Sequence, residues 1–156
     1  MAGFRKEMKS VRVKLRMVVW QKILGFNRGC PWPVSIHNQV THPENIDFDP
    51  ACLHIFQGIG KTFQADANIT IGKDCHIGPQ VALITRNHDL YNPMKMADPK
   101  PITIGDYCWI GHSATILPGV TLGPHTIVGA GAVVTHSFPN GNCVIAGIPA
   151  KTIKKL

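Results

Sequence analysis

From Ile104 onward an apolar residue returns at every sixth position, through Ile110, Ile116, Leu122, Val128 and Val134. Four places after each of the first five stands a small or short residue: Cys108, Ala114, Val120, Thr126 and Ala132. An upstream stretch keeps the same step through Ile59, Ala65, Ile71, Ile77 and Leu83. Amphipathic helices need spacings of three and four, and half-buried strands need strict alternation; a step of six is neither. It is the signature of a parallel β-helix. Each hexad is expected to supply one short strand and one turn, three hexads closing a triangular coil. The apolar residue then points inward and stacks on its counterpart one coil away, with the small residue also inward at the corner. Gly105, Gly111, Gly123 and Gly129 follow four of the apolar positions. They are expected at the turns, where freedom in φ costs a side chain most.

The step breaks once. Leu83 and Ile104 are 21 residues apart, not a multiple of six. A polar, proline-containing segment must therefore leave the prism, and the expected extruded loop spans residues 84–103. Long loops on rigid scaffolds are where chemistry concentrates, and this one carries Asn87, His88, Asp89 and Tyr91. At the N-terminus, Phe4, Met8, Val11, Leu15, Val18, Val19 and Ile23 recur at helical spacing between basic residues, predicting an amphipathic helix. Its first reading is a cap over the open end of the prism; its second is a peripheral anchor on an anionic membrane surface. The expected organisation is a cap over residues 1–30 and a β-helix over 31–156.

Composition agrees with short strands and tight turns. Charged residues make up 16%, below the roughly 25% of ordinary globular chains, whereas Gly numbers 15 and Pro 12. The net charge of +7 gathers at the ends, in Arg5, Lys6, Lys9, Arg12, Lys14 and Arg16 and in Lys151, Lys154 and Lys155. No nucleic-acid-binding motif accompanies it, so an anionic cofactor or surface is the expected partner and nucleic acid is not. Five dispersed cysteines without a C-x-x-C are expected to be free thiols in a reducing cytoplasm. Cys75 and Cys108 fall in the inward small-residue slot and are expected to pack rather than react.

The run I-G-D-Y-C-W-I-G-H-S-A-T-I-L-P-G-V-T-L-G (104–123) and the ending A-G-I-P-A-K (146–151) resemble the hexapeptide-repeat acyltransferases. Within them the chain looks most like the polysaccharide-type and maltose-type sugar O-acetyltransferases. That resemblance, not the spacing, implies a left-handed coil, acetyl-CoA as acyl donor and no metal. It implies a homotrimer with active sites between subunits and a sugar hydroxyl as acceptor. His88 would be the general base, a role that suits an imidazole near neutrality. Asp89 would orient His88 or else cap its own turn; Asn87 and Tyr91 would face the acceptor. A backbone N–H near Gly111 or Ser113 would meet the oxyanion. The resemblance also implies a cofactor groove along Trp109, Gly111, Ser113 and Ala114, past Gly129, Gly131 and Ala132, to Ala146, Pro149 and Lys151. Small residues there would let backbone approach the pantetheine arm, and Lys151 would meet a phosphate.

Two other classes compete. A γ-class zinc hydratase on the same fold needs three imidazole ligands; His76 and His112 sit on coils, but the positions five residues either side of His112 are Leu117 and Tyr107. A non-catalytic scaffold would keep the prism and lose the chemistry, against which the loop histidine argues. Serine, xenobiotic and sugar-amine acceptors remain open beside the sugar hydroxyl.

Overall fold

A computed structural model describes residue 15 and residues 17–156. The chain winds into a left-handed parallel β-helix with three flat sheets. The first sheet stacks β1 (Gln39–Thr41), β3 (Thr62–Gln64), β6 (Ala82–Ile84), β9 (Thr115–Ile116) and β12 (Val133–Val134), in that order. The second stacks β2 (Ile46–Phe48), β4 (Ile69–Ile71), β7 (Ile102–Ile104) and β10 (Thr121–Leu122). The third stacks β5 (His76–Ile77), β8 (Trp109–Ile110), β11 (Thr126–Val128) and β13 (Cys143–Gly147), with β14 (Ala150–Lys155) on its outer edge. In the first coil the helix Pro50–Gln57 takes the place of a third-sheet strand, its N-terminus capped by Asp49, which accepts from the N–H of Ala51.

Both inward rows of the hexad are buried. Ile104, Ile110, Ile116, Leu122, Val128 and Val134 line the core, and so do Cys108, Ala114, Val120, Thr126 and Ala132. Stacking in register explains the constancy of residue type, since each side chain meets its own counterpart in the coils above and below. Upstream the step is less regular. Phe63, not Ala65, pairs with Leu83 across the first sheet, because two extra residues turn the corner before β4. Ala65 is nonetheless fully buried, whereas Ile59, expected inside, is 62% exposed at a turn. An aromatic cluster of Trp32, Phe48, Phe56 and Phe63 fills the wider upper coils.

The glycines act differently from expectation. Gly105 and Gly111 do not have positive φ. A Cβ on Gly105 would lie 2.8 Å from Pro124 N, and one on Gly111 would lie 2.7 Å from Ala130 N. They are small because the next coil crosses there. At five turns the left-handed residue comes two places after such a glycine and carries a side chain: Asp74, Gln80, Tyr107, Ser113 and His125.

The N-terminal segment departs from expectation. The start of the helix expected over residues 4–24 lies outside the described residues, and its described part is a wide-turn helix, Met17–Ile23. That helix buries Gln21 and leaves Val18 and Ile23 exposed, as is Leu15 ahead of it, so these members of the predicted apolar stripe do not face the prism. After Pro149 the chain turns back as β14, antiparallel to β13.

Candidate active site

Fifteen extra residues leave the prism between β6 and β7, which otherwise follow the ordinary path from first to second sheet. They form a narrow finger. Thr85, fully buried, bolts its root: the hydroxyl donates to Gln64 O at 2.8 Å and accepts from Ala67 N at 3.0 Å. The carbonyl of Thr85 accepts from Lys100 N at 2.8 Å, closing the base. Further out, Ala97 N donates to Asn87 O and Asp89 N donates to Lys95 O, each at 2.9 Å, and Arg86 Nε holds Ala97 O at 2.9 Å.

His88 sits on this ladder with an exposed side chain. Its Nδ1 lies 2.8 Å from Pro93 O. A carbonyl can only accept, so Nδ1 carries the proton and the neutral ring keeps the lone pair on Nε2. Asp89 plays no part in this. Its Oδ1 accepts from Tyr91 N at 2.9 Å and Asn92 N at 2.8 Å, capping the fingertip turn. Of the two readings of Asp89 the structure shows the turn cap, and the partner of His88 is the Pro93 carbonyl. Asn87 is exposed beside His88, and Tyr91 projects into solvent at 96% exposure rather than packing against the prism.

A polar groove of about 350 Å³ runs along the first sheet at the foot of the finger, lined by Gln39, Thr41, His42, Thr62, Gln64 and Asp66. Gln64 donates to Asp66 at 3.0 Å, and Arg86 reaches Asp66 at 3.7 Å. The buried Thr41 hydroxyl has no hydrogen-bond partner among the described residues. None of these residues was expected from the sequence. The signal was weak: outward hydroxyl and amide side chains on irregular upper coils read as an ordinary solvated face.

The expected cofactor residues divide. Trp109 projects half-exposed from β8 on the third sheet, beside His76 and Ile127 in register. Ala114 and Ala132 are fully buried in the core and cannot line an outer groove. Gly111 and Gly129 serve coil stacking; a Cβ on Gly129 would lie 2.8 Å from that of Ala146. Gly131 is different, with φ +68° and open space around it. Ala146, exposed Pro149 and exposed Lys151 lie together on the terminal hairpin, where Ala146 pairs with Lys151. Nor are the anticipated oxyanion donors free. Gly111 N donates to Val128 O at 2.8 Å and Ser113 N to Pro79 O at 3.0 Å, while Ser113 Oγ reaches Gln80 at 3.1 Å.

Within one chain the finger and the third sheet stay apart. The finger leaves the corner between the first and second sheets, and no hydrogen bond among the described residues joins it to Trp109 or the hairpin. The five cysteines are all buried and free, and the Cys75–Cys108 pair shares a contact that lowers the pKa of Cys108 as it raises that of Cys75. Burial pushes Cys30 up to about 11, and the neighbouring Cys108 thiol together with burial drives Cys75 far above its ordinary value. His76 stacks on His54 at 5.3 Å. No group of three or more His, Cys, Asp or Glu that could hold a metal is gathered among the described residues.

Known proteins match this arrangement. Residues 101–136 fit the bacterial transferase hexapeptide family, described as six repeats. A galactoside O-acetyltransferase of Escherichia coli K12 is 36% identical over 109 residues, covering 63% of this chain and 53% of that protein. A putative lipopolysaccharide biosynthesis O-acetyl transferase of the same organism is 38% identical over 100 residues, covering 56% and 50%. The chain thus spans about half the length of these curated relatives. Among solved structures, a galactoside acetyltransferase in complex with coenzyme A superposes with a TM-score of 0.72 at 26% identity, covering 99% of this chain and 83% of that one. A hexapeptide-repeat-containing acetyltransferase of Vibrio cholerae complexed with acetyl coenzyme A gives 0.67 at 30% identity, covering 76% and 64%.

Proposed function

We propose that this chain, similar to the hexapeptide-repeat acetyltransferases, transfers an acetyl group from acetyl-CoA to a sugar hydroxyl, with His88 as general base. The observation that carries this reading is the 2.8 Å bond from His88 Nδ1 to Pro93 O. In the neutral ring it puts the lone pair on Nε2 of an exposed side chain anchored to backbone, which is what a base for an alcohol requires. Nε2 accepts the hydroxyl proton as that oxygen attacks the thioester carbonyl. The tetrahedral adduct then expels the CoA thiolate, which takes the proton from the imidazolium. No acyl-enzyme forms, in keeping with thiols that are all buried.

The polar groove on the first sheet is the acceptor side of this reading. Its amide, hydroxyl and carboxylate groups suit a polyhydroxylated ligand, and Thr62, Gln64 and Asp66 stand beside the root of the finger that bears His88. The cofactor side is the third-sheet edge, with Trp109 along the pantetheine path and Lys151 toward a phosphate. Since finger and edge lie apart in one chain, a complete site needs the edge of a second copy. A homotrimer with sites between neighbours meets that need.

An acceptor screen that reads CoA release, run with the full chain and with His88→Ala, tests the reading. Release that requires a mono- or oligosaccharide and disappears in the variant is expected. Full release by His88→Ala would remove the base from His88, and zinc-dependent CO₂ hydration with no CoA release would sink acetyl transfer.

A further inference from the structure

The helix Met17–Ile23 is inverted for a helix lying on a protein. Its one buried residue is polar: Gln21, 1% exposed, donates to Trp32 O at 3.0 Å and accepts from Val34 N at 3.2 Å. Asn27 fastens the following turn, donating to Asn38 O at 2.9 Å and accepting from Val40 N at 3.1 Å. Two amides thus clamp this segment to the first coil by specific bonds. Met17, Val19 and Trp20 are half-buried, but the segment's other large apolar side chains point away: Val18, Ile23, Leu24 and Phe26 are 49–67% exposed, with Leu15 just ahead of them at 61%. A soluble surface seldom holds so many large apolar groups close together unless something binds there.

Basic residues flank the patch. Lys22 and Arg28 are exposed within it, and the preceding sequence adds Arg12, Lys14 and Arg16. No Asp or Glu occurs between Lys9 and Pro43. Apolar side chains interleaved with cations, and free of anions, are complementary to an anionic bilayer: the chains enter the headgroup boundary while the cations meet lipid phosphates. We propose that the segment around Met17–Arg28 docks this protein on an anionic membrane surface. The inference does not depend on the transferase reading, because the patch shares no residue with the finger or the third sheet.

Co-sedimentation of the full chain with vesicles of phosphatidylcholine alone, or with about one third phosphatidylglycerol, tests it. Pelleting with the anionic vesicles alone, weakened by high salt, is expected. The Lys22→Gln/Arg28→Gln variant should bind about twentyfold more weakly, since each cation near such a surface contributes roughly fivefold, or about 1 kcal/mol. Leu24→Asp/Phe26→Asp should lose binding while keeping the circular dichroism spectrum and the CoA-release rate of the parent. Two results would overturn the proposal. One is a wild-type chain that stays in the supernatant with anionic vesicles. The other is a Leu24→Asp/Phe26→Asp variant that still pellets but drops to a smaller oligomer in lipid-free sedimentation, which would make a second copy the occupant.

Discussion

The lower coils and the finger are built on opposite terms. Between Ile102 and Val134 each inward position is buried, and each strand is paired above or below by a neighbour of the same kind. A change there is felt through the stack. In the finger almost nothing is buried beyond Thr85; Leu90, Tyr91 and Met94 are more than nine-tenths exposed, and hydrogen bonds rather than packing give it shape. Side chains in the coils are fixed by packing, and those in the finger are free to be chosen for chemistry. Function should therefore be separable from stability here to a degree that enzymes with buried catalytic centres do not allow.

The largest separation is expected for His88→Ala, which should lower turnover by about a hundredfold to ten-thousandfold with no change in melting temperature. Its counterpart in the coils is Ile110→Ala, which should cost about 2–5 kcal/mol of stability while leaving the pH profile of the surviving activity unchanged. Calorimetry beside CoA-release kinetics reads both. Gly111→Ala sharpens the contrast, since overpacking against Ala130 N should cost about 1–3 kcal/mol or more even without cofactor. A higher KM for acetyl-CoA at unchanged stability would instead return Gly111 to the ligand.

Asp89→Asn should be close to silent, because the amide oxygen can still cap the turn; Asp89→Ala should fray the fingertip by about 1 kcal/mol and lower activity modestly. A loss of activity in Asp89→Asn as large as in His88→Ala, with a shifted pH profile, would mean that the carboxylate acts on the imidazole after all. The smallest effect is expected at Lys61, buried at 3% exposure, where desolvation lowers its affinity for a proton below the ordinary value. The unfolded chain then binds more protons than the folded one between the two pKa values, so stability rises with pH across that window. Lys61→Met should melt about 2 °C higher near neutrality, and the difference should fade as pH approaches 10.5. A gap that widens with pH would reverse the assignment.

What could be read from the sequence followed the same division. Positions set by stacking were legible because the same demand recurs in each coil: Ile104 through Val134 and Cys108 through Ala132 are buried as their spacing predicts. The reason given for the glycines was wrong, because spacing shows where a residue must be small but not whether φ or a crossing strand requires it. Ala114 and Ala132 were misassigned to a groove for a related cause: a motif says which residues recur together, not which side of the wall they face. In the finger, His88 was found through the broken step and family likeness. The Pro93 carbonyl was beyond reach, since a backbone partner leaves no trace in residue type. Gln21 was hidden by the helical stripe, which marks an apolar face without saying whether protein covers it.

The terminal hairpin bears on how such a stack comes to an end. A parallel coil offers its lower edge as a template for one more rung, and nothing in the repeat itself limits the number. In the third sheet β14 occupies that edge running the opposite way, with Lys151, Lys154 and Lys155 exposed along it. A further parallel strand finds its seat taken, and another chain's hairpin meets like charge. Reversing direction once, at Gly147–Ala150, thus acts as a terminator against fibre growth, a hazard that any protein made of self-similar layers must meet.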